Sequence, residues 1–118
     1  MRWKRKPDEH DYPAALSFLR LLVEDGCASA TVAAMKRAPI EYAAAKDILR
    51  AAGLGLLASD EAAVSKHVDA CLAGEKLSPV LLVADRPTVI ADGYHRVCAA
   101  YHLDGDGQVP FRRVTWKR

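Results

Sequence analysis

The sequence predicts an α+β fold, in which helices pack against a small mixed β-sheet and a helical segment precedes the sheet. The chain has 118 residues, a common length for a single domain, and 51% of them are hydrophobic. Residues 12–38 have the spacing of amphipathic helices, whereas residues 39–118 alternate short apolar runs with helical segments. We therefore expect one domain over residues 1–118, with an N-terminal helical part (12–38) and a sheet-containing part (39–118).

Two helices are expected in the N-terminal part. The first begins at Pro13, a favourable first-turn residue, and ends at Asp25 and Gly26. Its apolar residues are numerous enough that we expect the helix to be well buried; they are Leu16, Phe18, Leu19, Leu21, Leu22 and Val23. The second helix runs from about residue 28 to 37, because Pro39 disfavours α geometry in the residue before it.

The middle of the chain holds one ambiguous segment and one clear helix. Residues 40–50 combine a strand-like alternation of Ile40 and Tyr42 with alanines that suit a helix, so both assignments stand. Ser59 and Asp60 are N-cap candidates for a helix over residues 60–73, and Gly74 follows at its stop position.

Three strands and a short helix are expected in the last third of the chain. The continuous apolar run over residues 77–83 is typical of a strand that is covered on both faces. A turn at residues 84–87 joins it to a strand at 88–91, which predicts a β-hairpin. A helix follows over residues 94–102, and residues 109–115 form the last strand.

The charges of the chain are nearly balanced overall but unevenly distributed. The net charge of +2 gives little attraction for nucleic acid or for an anionic membrane. Basic residues gather at both ends of the chain, where they would form one patch if the ends met; they are Arg2, Lys4, Arg5, Lys6, Arg112, Arg113, Lys117 and Arg118.

No targeting or membrane segment is expected. No segment approaches the roughly 18 consecutive apolar residues that span a bilayer. Acidic residues follow the basic start where a signal peptide would be apolar. The three cysteines, Cys27, Cys71 and Cys98, are odd in number and lack metal-ligand spacing, which argues against a disulfide framework or a structural zinc site. We expect a cytoplasmic protein without a membrane partner.

The segment from Asp92 to Arg96, with the sequence Asp-Gly-Tyr-His-Arg, is the main candidate for a functional site. A strand that opens directly into a helix exposes backbone N–H groups at the positive end of the helix dipole, where a phosphate binds well. Gly93 permits close approach of a ligand, and Arg96 offers a fork of donors that we expect to converge on the same anion. His95 can transfer a proton, and Asp92 can accept one from a hydroxyl or hold Mg²⁺.

A purely structural interpretation of the same segment has equal weight. Asp92 can serve only to cap the helix, and Gly93 only to permit a tight turn. His95 and Arg96 can equally be solvated residues of the first helical turn.

The segments SPVLLV, VIADGYHRVCAAY and VPFRRV, all within residues 77–114, resemble the ParB/sulfiredoxin-like superfamily. The resemblance covers the C-terminal half to two thirds of the chain. Members include a CTP-hydrolysing chromosome-partition protein, an ATP-dependent sulfinic acid reductase, a free-serine kinase and proteins described as nucleases. The resemblance implies the small mixed sheet of that superfamily and a nucleotide phosphate held at the turn by Gly93, Tyr94 and Arg96.

Departures from the motif narrow the expected activity. Sulfiredoxins have a catalytic cysteine where this chain has Tyr94, so the resemblance does not extend to sulfinic acid reduction. The Asp-Gly-aromatic-His-Arg form is most similar to the free-serine kinase, which implies a phosphotransfer role for Asp92 and His95. Glu41 is a candidate for the upstream acidic group of that kinase, with a solvated surface carboxylate as the alternative.

Two further basic residues are candidates for phosphate binding. Superfamily members have an Arg or Lys near the nucleotide in this region, which implies that Lys46 or Arg50 faces the turn at Gly93. Their helical spacing fits a solvent-exposed stripe equally well.

The sequence leaves three functions open. The first is a nucleotide- or phosphate-binding domain, an NTP hydrolase or phosphotransferase, with Mg²⁺ as the cofactor that accompanies the nucleotide. The second is a nucleic-acid-binding or nuclease domain that uses the turn and the basic ends. The third is a noncatalytic interaction domain, in which the helical part over residues 13–37 forms a homodimer or partner face unless the core consumes its apolar side.

Overall fold

The computed structural model describes residues 1–118 and contains five helices and six strands. The helices are α1 (Asp11–Leu19), α2 (Asp25–Met35), α3 (Ala45–Ala52), α4 (Ala62–Leu72) and α5 (Tyr94–Asp104). The strands are β1 (Arg2–Trp3), β2 (Glu41–Ala44), β3 (Lys76–Leu77), β4 (Val80–Val83), β5 (Val89–Asp92) and β6 (Gln108–Val114).

Four of the strands form the central sheet, in the order β2-β6-β4-β5. Strand β4 pairs with β6 in parallel and with β5 antiparallel, and β2 pairs antiparallel with β6. The sheet is therefore mixed, and helices pack on it, which confirms the α+β prediction. The short strands β1 and β3 form a separate parallel pair.

Both faces of the central sheet are covered, and β4 shows how the sequence achieves this. Every residue of β4 is buried. Side chains alternate along a strand, so Val80 and Leu82 enter one core with α3, α4 and α5, while Leu81 and Val83 enter a second core with α1 and α2. The apolar run in the sequence correctly predicted a strand covered on both sides.

The apolar run from residue 77 is divided between two sheets. Leu77 belongs to β3, and β4 begins at Val80 after Ser78 and Pro79. Proline has no N–H to donate to a ladder, so it favours a break at this point. The hydroxyl of Ser78 is left facing α1, where it donates to Asp11.

The N-terminal helical part supplies the second core. Tyr12, Ala15 and Leu19 of α1 and Val32 and Met35 of α2 are buried against the sheet. The main apolar side of these helices is thus buried in the protein's own core. The sequence had left open whether the core or a partner covers it.

The first helix ends earlier than its apolar pattern predicted, at Leu19 and not at Asp25. The N–H of Leu22 bonds to the carbonyl oxygen of Leu19, so the chain turns here and α2 packs beside α1 over β6. The side chain of Leu21 is 81% exposed as a result, which corrects the expectation that the whole segment is buried.

The segment over residues 40–50 contains both structures that the sequence left open, β2 followed directly by α3. Helix α4 begins slightly later than expected. Its N-cap is Glu61, not Ser59 or Asp60, and the Glu61 carboxylate accepts from the N–H groups of Ala63 and Val64.

The basic residues near the C-terminal end are bonded within the fold. Arg112 donates to the carbonyl oxygen of Lys36 at 2.9 Å, close to the end of α2. Arg113 pairs with Glu41 across β6 and β2 at 3.3 Å. These two cations are therefore engaged by the protein itself. No helix of the chain has the length and apolar character that crossing a membrane would require.

The double-sided core predicts a large cost for truncating β4. Leu81→Ala should lower the free energy of unfolding by about 2–5 kcal/mol, because Leu81 is fully buried. The matched change Leu72→Ala, at a residue that is 74% exposed, should cost less than about 0.5 kcal/mol. Urea unfolding monitored by circular dichroism measures both, and equal costs would contradict the two-core arrangement.

Candidate functional site

The junction between β5 and α5 has the strand-turn-helix form that the sequence predicted. Strand β5 ends at Asp92, and Gly93 is the N-cap of α5 with φ of 115°. The first helical bond runs from the N–H of Val97 to the carbonyl oxygen of Gly93, at 2.9 Å. The N–H groups of Tyr94, His95 and Arg96 precede it and have no acceptor within the helix, so they lie at the positive end of the dipole.

Contacts within the protein explain why residue 93 is a glycine. A Cβ atom at this position would lie 2.9 Å from Nη2 of Arg96 and 2.9 Å from Cγ2 of Val80. These distances are shorter than real Cβ atoms show. Glycine therefore makes room for the guanidinium and for the core, and its φ is one that other residues rarely adopt.

The guanidinium of Arg96 lies against the turn but is directed into the protein. Its Nη2 donates to Asp92 at 3.2 Å and to the carbonyl oxygen of Pro79 at 3.3 Å, and it lies 3.6 Å from Asp11. Only 11% of the Arg96 side chain is exposed, and its Nε is buried without a hydrogen-bond partner. The expectation that Arg96 reaches the same anion as the free amides is therefore corrected, because two carboxylates already neutralise its charge.

Asp11 is the residue that sequence reasoning missed. It belongs to the first turn of α1, outside the superfamily resemblance, and its side chain is only 3% exposed. The hydroxyl of Ser78 donates to it. A carboxylate in the first turn of a helix usually faces solvent and interacts favourably with the helix dipole. Nothing in the sequence therefore indicated that the Asp11 carboxylate is buried.

Asp92 and Asp11 form a closely spaced carboxylate pair across Arg96. Burial raises the pKa of Asp92, the guanidinium of Arg96 opposes that rise, and the nearby charge of Asp11 adds to it. The net direction of the pKa is upward because burial, with the charge of Asp11 added to it, outweighs the guanidinium. Asp92 is thus better described as part of a buried network than as a free helix cap.

His95 occupies the outer side of the turn together with Glu61. The His95 side chain is about half exposed, and its Nε2 lies 3.7 Å from a carboxylate oxygen of Glu61. The pKa of Glu61 is lowered, chiefly because the N–H of Ala63 donates to it and also because His95 is close. Burial lowers the pKa of His67 on α4, and the charges of Arg96 and His95 lower it further. Glu61 and His67 are functional candidates that local sequence patterns did not identify.

Tyr94 ties the turn to the loop that precedes α4. Its hydroxyl donates to the carbonyl oxygen of Gly55 at 2.6 Å. Burial raises the pKa of this hydroxyl. The side chain of Tyr94 therefore positions a loop, and only its backbone N–H faces the space ahead of α5.

The structure does not bring Lys46 and Arg50 to this turn. Nζ of Lys46 lies 2.6 Å from Asp106, beyond the C-terminal end of α5, and this contact raises the pKa of Lys46. Eleven residues of α5 separate that end from Gly93, a length of about 16 Å. Arg50 lies beside Asp47, in a groove that also contains Tyr101 of the last turns of α5.

Glu41 does not lie where the role implied by the resemblance would require it. It lies on the edge strand β2 and pairs with Arg113 at 3.3 Å. The acidic residue that does approach the turn from upstream in the chain is Asp11, together with Glu61 on the outer side.

One group of side chains has the composition of a metal site. Ligand atoms of Asp8, His10 and Asp11 all lie within 4.8 Å of one another. Cations of the protein already contact it: Lys4 binds Asp8 at 2.8 Å, and Arg96 approaches Asp11. In the sequence this acidic stretch argues only against a signal peptide and does not indicate a metal site.

Comparison with known proteins gives no relative from which a function can be transferred. No family model, no curated protein and no solved structure matches this chain. A functional proposal therefore depends on the geometry of the turn. The turn combines three amides without helical acceptors, an exposed imidazole and a carboxylate behind that imidazole.

A substitution at Gly93 tests the packing of the turn. Gly93→Ala should lower the free energy of unfolding by about 1–3 kcal/mol more than Gly74→Ala. Both glycines have a positive φ, but a Cβ at Gly74 meets nothing within 4 Å, so the difference isolates the contact with Arg96 and Val80. Chemical denaturation gives both values, and equal losses would show that Gly93 is required only for its backbone conformation.

The pKa of Asp92 predicts a pH-dependent stability. A carboxyl group whose pKa is raised by folding binds its proton more tightly in the folded state, so its contribution to stability falls as pH rises above about 4. Asp92→Asn should therefore gain stability relative to the unsubstituted protein as pH rises above about 4.

Asp85 provides a control of opposite sign. Its pKa is lowered, chiefly by the hydrogen bond from the Trp116 indole N–H, so its contribution is present above about pH 4 and lost below it. Asp85→Asn should become less stable relative to the unsubstituted protein as pH rises. Thermal melts across the pH range measure both differences, and parallel trends would contradict the assignment of the Asp11–Asp92 pair.

Proposed function

We propose that this chain binds a phosphate ester at the first turn of α5, with a nucleotide and Mg²⁺ as the ligand class, and that His95 transfers a proton there. The activity would be NTP hydrolysis or phosphotransfer. The observation that carries the proposal is the position of an exposed imidazole, backed by Glu61, on the turn that presents three amides without helical acceptors.

The amides of Tyr94, His95 and Arg96 would hold the phosphate. Such groups at a helix N-terminus combine hydrogen-bond donors with the positive end of the dipole. Arg96 acts indirectly in this arrangement. Its guanidinium bonds to the Asp92 carboxylate and the Pro79 carbonyl oxygen and occupies the space on the inner side of Gly93, so the phosphate would approach from the outer side.

His95 is suited to act as a general acid or base because an imidazole can both donate and accept a proton and this side chain is accessible. Its Nε2 lies 3.7 Å from the Glu61 carboxylate, within ion-pair distance but too far for a hydrogen bond. Glu61 keeps its charge because two backbone N–H groups already donate to its carboxylate. His95 would therefore donate a proton to a leaving group or orient a phosphate oxygen.

Mg²⁺ would enter with the nucleotide, since this ion usually combines phosphate oxygens with one or two carboxylates. The Asp92 carboxylate next to the turn is already bound to Arg96, so phosphate oxygens would supply most of the ligands of the ion. The alternative of a nucleic-acid-binding or nuclease domain has less support, because Arg112 and Arg113 are bonded within the fold.

Titration calorimetry with ATP, CTP, GTP and ADP in the presence of Mg²⁺ tests the proposal, with phosphate release as the second measurement. We expect binding of at least one nucleotide in the micromolar to millimolar range. His95→Gln should lower the rate of phosphate release or transfer by about 100-fold or more. Absence of binding at millimolar nucleotide, or binding of DNA alone with a steep salt dependence, would overturn the proposal.

Glu61→Gln separates two roles of this residue. The glutamine amide has one oxygen, which can accept from the N–H of Ala63 or of Val64 but cannot replace both carboxylate oxygens, so a loss of up to about 1 kcal/mol of stability is expected. Loss of the carboxylate beside His95 should lower the rate of phosphate release or transfer by more than this loss of stability explains. The matched control Glu41→Gln, which removes a carboxylate on β2, should leave that rate unchanged.

A further inference from the structure

Exposed apolar side chains concentrate around one groove on the surface. The groove has a volume of about 460 Å³ and is lined mainly by hydrophobic residues. Phe18 and Leu22, from α1 and the turn after it, lie on one side, and Leu54 lies on the other; all three are exposed large hydrophobics. Clusters of this kind on a folded protein mark interaction surfaces.

The groove also reaches the open edge of the central sheet. Strand β5 is the edge strand, and its residues Val89 and Ile90 line the groove. Edge strands have unpaired backbone groups, and natural proteins usually cover or charge them. The groove therefore lies beside an edge strand that no other strand of the chain covers, although Ile90 itself is buried.

A protrusion stands directly beside this depression. Leu21 is 81% exposed, the most exposed large hydrophobic side chain of the chain. It lies in the turn that ends α1 early, next to Leu22, which lines the groove. A knob and a hole on one face are what a self-complementary, twofold contact requires, since each copy then offers its knob to the hole of the other.

The charges around the groove are of both signs. Arg86 and Arg118 line the groove together with Asp85, and neither arginine side chain has an ion pair or a hydrogen bond. Glu24 lines the adjoining depression together with Leu22 and Arg118, and its carboxylate has no ion pair. A face that carries both signs can match a second copy of itself, whereas a partner with acidic groups alone would meet Glu24 and Asp85.

We propose that this face is the interface of a homodimer, in which Leu21 of each copy enters the groove of the other and Glu24 faces Arg86 across the twofold axis. A bound peptide would fill the groove but leave Leu21 in water. A second copy covers both and matches the unpaired charges. The interface is independent of the phosphate site proposed above.

Analytical ultracentrifugation between about 2 and 200 µM tests the proposal. We expect a reversible monomer–dimer equilibrium that Leu21→Arg weakens by about tenfold or more. The control Leu72→Arg adds the same charge at a residue that is 74% exposed on α4 and should leave the equilibrium unchanged. A monomer at every concentration, or a dimer that is indifferent to Leu21→Arg, would overturn the proposal.

A charge exchange tests the pairing itself. Glu24→Arg should weaken the dimer, because four like charges would then meet at the interface, and adding Arg86→Glu should restore it. Both side chains are free of contacts in the monomer, so thermal melts should show that the variants remain folded. Failure of the double variant to recover dimerisation would contradict the proposed twofold arrangement.

Discussion

The guanidinium of Arg96, held between Asp11 and Asp92, is the interaction on which the arrangement of this protein depends. It joins α1, the β5–α5 turn and the Pro79 carbonyl at one point. Removing the cation would leave two closely spaced, buried carboxylates unpaired, a change that typically costs several kcal/mol. Helix α1 is therefore bonded to the candidate site and does not merely precede it.

This network also determines what the turn can do. Arg96 fills the inner side of Gly93 so completely that a methyl group there would collide with it. The outer side carries the amides, His95 and Glu61. The buried ion pairs and the groups proposed to bind the ligand thus lie on the two sides of one short backbone segment.

Local sequence patterns predicted those helices and strands that are marked by an apolar run or by turn residues. The buried run of β4, its hairpin with β5 and the start of α5 after Gly93 all follow from apolar runs and turn residues. The early end of α1 did not follow, because the apolar pattern continues through Val23 and only packing of α2 on β6 decides where the chain turns. The sequence also did not predict the long-range pairs. Lys46 pairs with Asp106, and Asp11 contacts Ser78 and Arg96.

The role of a glycine in a motif is also hard to predict from the sequence, because it depends on long-range contacts, and Gly93 is an example. The sequence offered two explanations for it, close approach of a ligand and a tight turn. The contacts with Arg96 and Val80 add a third that needs no ligand. A chain that kept only the buried network would still require Asp92, Gly93 and Arg96, whereas His95 and Glu61 contribute nothing to that network. If the proposed function is correct, His95 and Glu61 therefore distinguish a working site from a retained fold, and Asp92, Gly93 and Arg96 do not.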